Sequence, residues 1–115
     1  MRHVAPIPVQ STPISEPVLF ILLSLADEPR HGYAILQDTA KMSAGRVRLS
    51  TGTLYGALRR LLEEGWIERF EEDDNSRGKL AYRLTSLGQR HLQTEVSRMK
   101  QLTRLANLRV ARKET

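Results

Sequence analysis

The chain has 115 residues, of which 40% are hydrophobic and 27% are charged, and it contains no cysteine. These values suit one small globular domain and exclude wholesale disorder, disulfides and thiolate metal sites. The longest apolar run, residues 18–25, is too short to span a membrane, and the proline-rich N-terminus lacks the apolar segment of a secretory signal. We therefore expect a cytoplasmic protein that makes no membrane contact.

The formal net charge of +5 is unevenly distributed along the chain. Residues 30–60 carry six basic residues and one acidic residue, whereas residues 63–74 carry seven acidic residues and one basic residue. Residues 86–115 are basic again. A basic block followed by an acidic block indicates one face directed at a polyanion and another turned away from it. The alternative is that both blocks are solvated surfaces.

A first helix is predicted over about residues 16–26, after a flexible N-terminal arm over residues 1–14. Ser15 is a favourable N-cap, and an acid and a proline follow it in the first turn. The helix should end before Pro29, because the residue preceding a proline resists helical geometry. The positions expected on its buried side are Val18, Leu19, Leu22, Leu23 and Ala26.

A second helix is predicted from the segment His31-Gly32-Tyr33 to about Met42, with Ile35, Leu36 and Thr39 spaced for burial. The short segment 46–50 alternates apolar and polar residues. This alternation predicts either a very short strand or an extended link before the next helix.

The segment from Ser50 to Gly65 predicts a third helix with an N-cap at one end and a helix-ending glycine at the other. Its apolar stripe is formed by Leu54, Leu58, Leu61 and Leu62. The opposite side carries the small, polar and basic residues Thr53, Tyr55, Gly56, Arg59 and Arg60. Such a helix can lie in a DNA major groove, with its free N-terminal N–H groups near phosphate. The alternative is an ordinary solvated amphipathic helix.

Two strands and a long helix complete the chain. The segments 66–71 and 80–84 are predicted as strands, because they flank a turn at 73–79 that is rich in Asp, Asn, Ser and Gly. The last helix should run from about Leu87 towards Arg109. Its apolar positions follow heptad-like spacing and exceed what a small domain needs to close its core, which predicts packing on a second copy of the chain. The residues expected at this dimer interface are Leu92, Val96, Met99, Leu102 and Leu105.

The element order predicts a mainly α (α+β) fold, a winged helix-turn-helix with a two-stranded wing and a long C-terminal dimerisation helix. In this fold the third helix enters the major groove and the hairpin tip reaches the flanking backbone. The corresponding division is an arm over 1–14, a DNA-binding domain over 15–85 and a dimerisation helix over 86–115.

Three blocks of the chain resemble the PadR family of transcriptional regulators. They are His31-Gly32-Tyr33-Ala34-Ile35, then Gly52-Thr53-Leu54-Tyr55 continuing to Glu64-Gly65-Trp66-Ile67, then Tyr82-Arg83-Leu84-Thr85 with Gly88. The resemblance implies a dimeric DNA-binding repressor of the subgroup with one C-terminal helix. It also implies that a small aromatic or drug-like ligand releases the repressor from DNA. The chain departs from the family at Thr51, where proline is common, and at 79–82, where an Arg-Lys pair often precedes the tyrosines.

The candidate DNA contacts lie on and around the third helix. They are Ser50, Thr51, Gly52, Thr53, Tyr55 and Arg59 on the helix, Tyr33 at the start of helix two, Arg46 and Arg48 in the link, and Arg77 and Lys79 at the wing tip. The alternative to DNA contact is a packing role for the tyrosines and a solvated ion pair for the arginines. Trp66 is expected in the core, with the wall of a ligand pocket as its alternative.

Other classes of function fit the sequence less well. The histidines His3, His31 and His91 have no spacing that suggests a metal site or a catalytic triad, so we expect no enzyme activity, metal or cofactor. A winged helix that docks an acidic protein instead of DNA remains an alternative. We therefore expect a sequence-specific transcriptional regulator, most simply a repressor that binds a pseudo-palindromic operator as a homodimer.

Overall fold

The computed structural model describes residues 14–71 and 80–114. In chain order, the elements are α1 (Glu16–Asp27), β1 (Arg30–His31), α2 (Gly32–Met42), α3 (Thr51–Glu63), β2 (Ile67–Glu71), β3 (Leu80–Leu84) and α4 (Ser86–Glu114). The mainly helical winged-helix fold is confirmed, although α4 extends beyond its expected end. The predicted arm, apart from Ile14, and the predicted turn at 73–79 lie outside the described residues.

The small sheet has one strand more than the sequence predicted. β1 pairs antiparallel with β3 through Arg30 opposite Tyr82 and His31 opposite Ala81, which gives the strand order β1-β3-β2. The predicted two-stranded wing is present as β2 and β3, and β1 is an addition to it that the sequence did not predict, because a strand of two residues is defined by its distant partner and has no periodicity to detect. The segment 47–50 is an extended link and not a strand.

The core lies between the four helices and the inner face of the sheet. Its fully buried large residues are Ile21, Leu22, Ile35, Leu54, Leu58 and Ile67. The expected buried side of α1 is partly wrong, since Ala26 is exposed and Ser24 and Leu25 are buried instead. The physical reason is that α1 packs against α2, β3 and α4 at once, so its buried surface is wider than one stripe.

The caps predicted for α3 are present in the structure. The Ser50 hydroxyl accepts a hydrogen bond from the backbone N–H of Thr53 at 3.1 Å. Gly65 has a φ of 78°, a left-handed conformation in which glycine is favoured, and the chain leaves the helix there. The stripe Leu54, Leu58 and Leu61 is buried. The outer side of α3 is therefore held facing away from the core.

The start of α4 is fastened to the start of the hairpin by a set of contacts that we call the wing–α4 joint. The Thr85 hydroxyl donates to the Gly65 carbonyl at 2.6 Å, and the Thr85 N–H donates to the Trp66 carbonyl at 3.0 Å. Gly88 packs directly on the Trp66 backbone. The half-buried Trp66 ring packs against the core, as expected, and also stacks on His91 with ring centroids 4.2 Å apart.

The two halves of α4 have different surroundings. Up to about Met99, one side of the helix packs against the domain, whereas residues 101–113 are exposed throughout. Exposed apolar side chains continue along this second half at Leu102, Leu105, Leu108 and Val110. No helix in the described part of the chain is long and apolar enough to cross a membrane.

Candidate nucleic-acid interface

The N-terminal turn of α3 presents small side chains and backbone to solvent. Thr51, Gly52 and Thr53 are all exposed, and no atom lies within 4 Å of where a Cβ on Gly52 would be. The first N–H groups of any helix have no intrahelical partner. The turn can therefore approach a DNA backbone or base edge closely and can donate hydrogen bonds to it.

The structure brings together two motif residues that are far apart in the sequence. Tyr55 on α3 is 43% exposed, and its ring lies against Gly32 at the start of α2. A Cβ on Gly32 would be 2.8 Å from Cζ of Tyr55 and closer still to the hydroxyl. Tyr33, the next residue, is 70% exposed. The absence of a side chain at Gly32 therefore makes room for the Tyr55 ring, and both tyrosines remain accessible to solvent.

This contact gives a direct prediction for Gly32→Ala. The new methyl group would displace the Tyr55 ring, which can swing outward, so we expect a loss of DNA affinity of about tenfold with a change in unfolding free energy of less than about 1 kcal/mol. Fluorescence anisotropy with duplex DNA and thermal melting measure the two effects. Gln37→Ala, an exposed change on the same helix as Gly32, is the control and should bind DNA normally.

The basic residues of the 30–60 block do not all face outward. The Arg30 guanidinium is largely buried and forms ion pairs with Asp27 at 2.7 Å, Glu28 at 3.3 Å and Asp38 at 3.5 Å. Because these three carboxylates neutralise it, Arg30 fastens α1 to β1 and α2 and adds little positive charge to the surface. The surface formed by residues 30–60 therefore presents less positive charge to a ligand than the number of its basic residues suggests.

Two arginines on α3 and two in the link before it are exposed. Within residues 14–71 and 80–114, Arg59 and Arg60 form no ion pair, so the alternative pairing of Arg59 with the residue four positions later is absent there. Arg46 pairs with Glu16 of α1 at 3.0 Å, and both side chains are more than half exposed. An exposed pair of this kind is weak, so a phosphate can replace the carboxylate. The expected wing-tip contacts, Arg77 and Lys79, lie outside the described residues.

A cleft of about 520 Å³ separates α3 from the hairpin, and sequence reasoning missed it. Its lining residues are Tyr55, Leu58, Arg59, Leu62 and Glu63 from α3, and Arg69 and Tyr82 from the hairpin. Burial raises the pKa of Tyr82, and nearby Tyr55 raises it further, whereas Arg69 lowers it. The sequence did contain one signal for this site, since Arg69 is the only basic residue in the acidic block 63–74.

The residues expected at the dimer interface do not form one surface. Leu92 is only 4% exposed and belongs to the core of its own chain, so its inclusion was wrong. Val96 and Met99 are partly buried, and Val96 packs against that core. Leu102 and Leu105 are 57% and 50% exposed. Apolar surface available to a second copy therefore lies in the second half of α4.

The exposed start of α3, its exposed arginines and the adjacent hairpin on a winged-helix scaffold are the features of a DNA-binding protein. Residues 21–94 match the transcriptional regulator PadR-like family. The chain belongs to this family of transcriptional regulators.

Solved structures share this fold. A PadR family transcriptional regulator from Eggerthella lenta is 26% identical with a TM-score of 0.66, and the match covers 81% of this chain and 80% of that one. A PadR-like regulator from Bacillus cereus is 21% identical with a TM-score of 0.69, and the match covers 81% of this chain and 89% of that one.

A curated relative is larger than this chain. An uncharacterised 37.1 kDa protein in a transposon of Streptomyces fradiae is 36% identical over 85 residues, which are 74% of this chain. The match spans only 23% of that protein's length.

Proposed function

We propose that this chain is a repressor that binds a pseudo-palindromic operator as a homodimer, with α3 of each copy in the major groove. The observation that carries the proposal is the outer side of α3, where an exposed N-terminal turn is followed by Arg59 with no ion pair in the described part of the chain. Two copies of α3 about one helical turn of DNA apart would bind the two half-sites. Occupation of such a site excludes the polymerase.

The proposed contacts divide into base readout and backbone positioning. Thr53 is suited to base readout, since its hydroxyl donates or accepts and its methyl group can meet a thymine methyl. Backbone positioning falls to the cap and first turn of α3, two tyrosines, one arginine on α3 and the basic residues of the link and wing: Ser50, Thr51, Gly52, Tyr33, Tyr55, Arg59, Arg46, Arg48, Arg77 and Lys79. If about three of the five cationic side chains in each copy neutralise a phosphate, the log–log salt slope of a dimer should be near −5, because each contact contributes ~−0.9.

The proposed dimer rests on the second half of α4. A helical segment of about a dozen residues is marginal in water without tertiary contacts, yet residues 101–113 continue α4 with every side chain exposed. Leu102 and Leu105 follow Met99 at intervals of three residues along the exposed second half of the helix. A second α4 would bury these residues and support the helix. Residues 15–85 then act as the DNA-binding head and 86–115 as the dimerisation helix, in a cytoplasmic protein.

Release from DNA would follow a change in the relative position of the two heads. A small aromatic or drug-like ligand that prefers one dimer geometry shifts the population of dimers towards it by its difference in affinity. If that geometry separates the two copies of α3 from their half-sites, the ligand lowers operator affinity.

The proposal is tested by selecting duplex DNA from a random pool. Fluorescence anisotropy then measures binding of the selected sequences at several salt concentrations. Enrichment of an inverted repeat with a steep salt slope supports a sequence-specific dimeric repressor. Absence of binding even at low salt contradicts DNA recognition and favours the alternative, a winged-helix module that binds an acidic protein.

Arg59→Ala should weaken DNA binding without unfolding the protein, because the side chain is exposed and has no partner in the described residues. We expect a loss of about tenfold or more, given ~1.5–3 kcal/mol for a hydrogen bond to a charged group, and a less steep salt slope. Arg90→Ala, an exposed arginine on α4, removes the same charge elsewhere and is the control. Equal affinity of the Arg59 variant and the wild type across salt concentrations would remove Arg59 from the interface.

A further inference from the structure

The cleft between α3 and the hairpin has a cation on each wall. Arg59 projects from α3 and Arg69 from β2, and both belong to the cleft lining. Within the described residues neither guanidinium has an ion pair, although Glu63 also lines the cleft and Glu68 is adjacent to Arg69 in the sequence. The two arginines leave the charged lining of the cleft with a net positive charge. Two like charges that face one open cleft repel each other, and an anion placed between them removes that repulsion.

Strand register explains why Arg69 faces α3. Arg69 lies directly opposite Tyr82 in the β2–β3 ladder, and directly paired residues share one face of a sheet. Tyr82 is buried and lines the cleft. The buried Tyr82 therefore forms the floor of the cleft next to Arg69, whose side chain is exposed.

Arg83, the other arginine among the described residues of the hairpin, has partners on its own side of the sheet. Arg83 pairs with Glu68 at 2.7 Å, and its guanidinium lies 4.3 Å from the centre of the Phe70 ring. Arg83 and Arg69 are on adjacent strands but at alternating positions of the ladder, so they point to opposite faces. Of these two arginines, only Arg69 faces α3 and has no ion pair within the described residues.

We propose that the cleft holds one backbone phosphate of the operator, on the strand that passes between α3 and the hairpin, with Arg59 and Arg69 on its two sides. The inference rests on the proposed function and adds residues to it, namely Arg69 as a direct contact and Tyr82 as the floor. A volume of about 520 Å³ exceeds a single phosphate group and leaves room for the attached sugars. Such a contact positions the duplex and carries no sequence information.

Arg69→Ala tests the phosphate site directly, with Arg83→Ala as the matched control on the same hairpin. We expect Arg69→Ala to lower affinity about tenfold for both the selected operator and a scrambled duplex. The salt slope of the dimer should fall in magnitude by about 1.8, one contact of ~0.9 per copy. Arg83→Ala should leave the slope unchanged, and Arg69→Lys should retain it, because the charge is kept. Thermal melting verifies that each variant is folded.

The outcomes separate this inference from the proposed function. If Arg59→Ala weakens binding but Arg69→Ala leaves affinity and slope unchanged, the phosphate site is wrong and the repressor stands. If Arg69→Ala changes the preferred bases, Arg69 reads sequence and the phosphate site is again wrong. If Arg69→Ala alters only the binding of inorganic phosphate, followed by NMR titration, the cleft takes a free anion and not DNA. If the wild-type protein itself does not bind duplex DNA, the proposed function is wrong.

Discussion

The double variant Leu102→Glu, Leu105→Glu is expected to be a folded monomer that has lost tight operator binding. Both leucines are about half exposed and lie beyond the part of α4 that packs on the domain, so the head should keep its stability. In the proposed dimer each buried leucine contributes ~1.5–3 kcal/mol, and each replacement also places a carboxylate in the interface. The loss should therefore reach several kcal/mol and abolish the dimer at micromolar concentration.

Loss of the dimer should have a large effect on DNA affinity. When two heads are linked, the second head binds at a high effective concentration, which raises affinity by about 10²–10⁴-fold over one head. Sedimentation equilibrium measures the mass and anisotropy measures the affinity. Gln101→Glu adds a charge to the same turn without removing a leucine and should leave both unchanged. A monomeric mass for the wild type would refute the dimer itself.

These two positions make a cleaner test than Met99→Glu, which should also break the dimer. Met99 is partly buried near the domain, whereas Leu102 is 57% exposed. A charge at Met99 would destabilise the head as well as the interface, and the two causes could not be separated.

Gly88→Ala should lower the free energy of unfolding by about 2 kcal/mol, although alanine is normally the better helix former by ~1 kcal/mol. A Cβ on Gly88 would lie 2.9 Å from the carbonyl carbon of Trp66 and 3.1 Å from its Cα. These are backbone atoms and cannot rotate away, so α4 must separate from the hairpin. That movement weakens the hydrogen bond from the Thr85 N–H to the Trp66 carbonyl.

Thermal and urea unfolding at one fixed protein concentration measure this effect, and a loss of about 2 kcal/mol corresponds to a fall in Tm of roughly 10 °C. Gly56→Ala is the matched control, because it lies within α3 with nothing within 4 Å of the added methyl group. It should gain up to about 1 kcal/mol. A Gly88 variant as stable as the wild type would show that the wing–α4 joint is loose.

The helices were predictable because their signals are local. Ser50 and Gly65 bracket α3 through cap chemistry that depends only on adjacent backbone, and the leucine stripe follows the helical period. β1 was not predictable, since its two residues become a strand only by pairing with β3. Periodicity identified the apolar positions of α4. It did not show at which residue the helix stops packing against the domain. That is why Leu92 was placed in the interface.

The sequence predicted the part of the candidate site that lies on a single helix. It did not predict the parts that depend on contacts between two elements. The exposed residues at the start of α3 follow from one helical wheel. The contact between Gly32 and Tyr55 and the position of Arg69 opposite Tyr82 depend on how separate elements are arranged. The sequence showed Arg69 only as a minor exception within an acidic block, and strand register was needed to assign it a direction.

The wing–α4 joint has a consequence for how operator spacing can evolve. Since Thr85, Gly88 and His91 fasten α4 to the hairpin, each head and its α4 should turn as one body. With a rise of ~1.5 Å per residue, α4 is a lever about 44 Å long. In the proposed dimer, a change of about 10° in the crossing angle would shift a head about 25 Å away by about 4 Å, close to the ~3.4 Å separation of adjacent base pairs. Substitutions in the distal leucines could thus change the preferred half-site spacing without altering any residue that touches DNA.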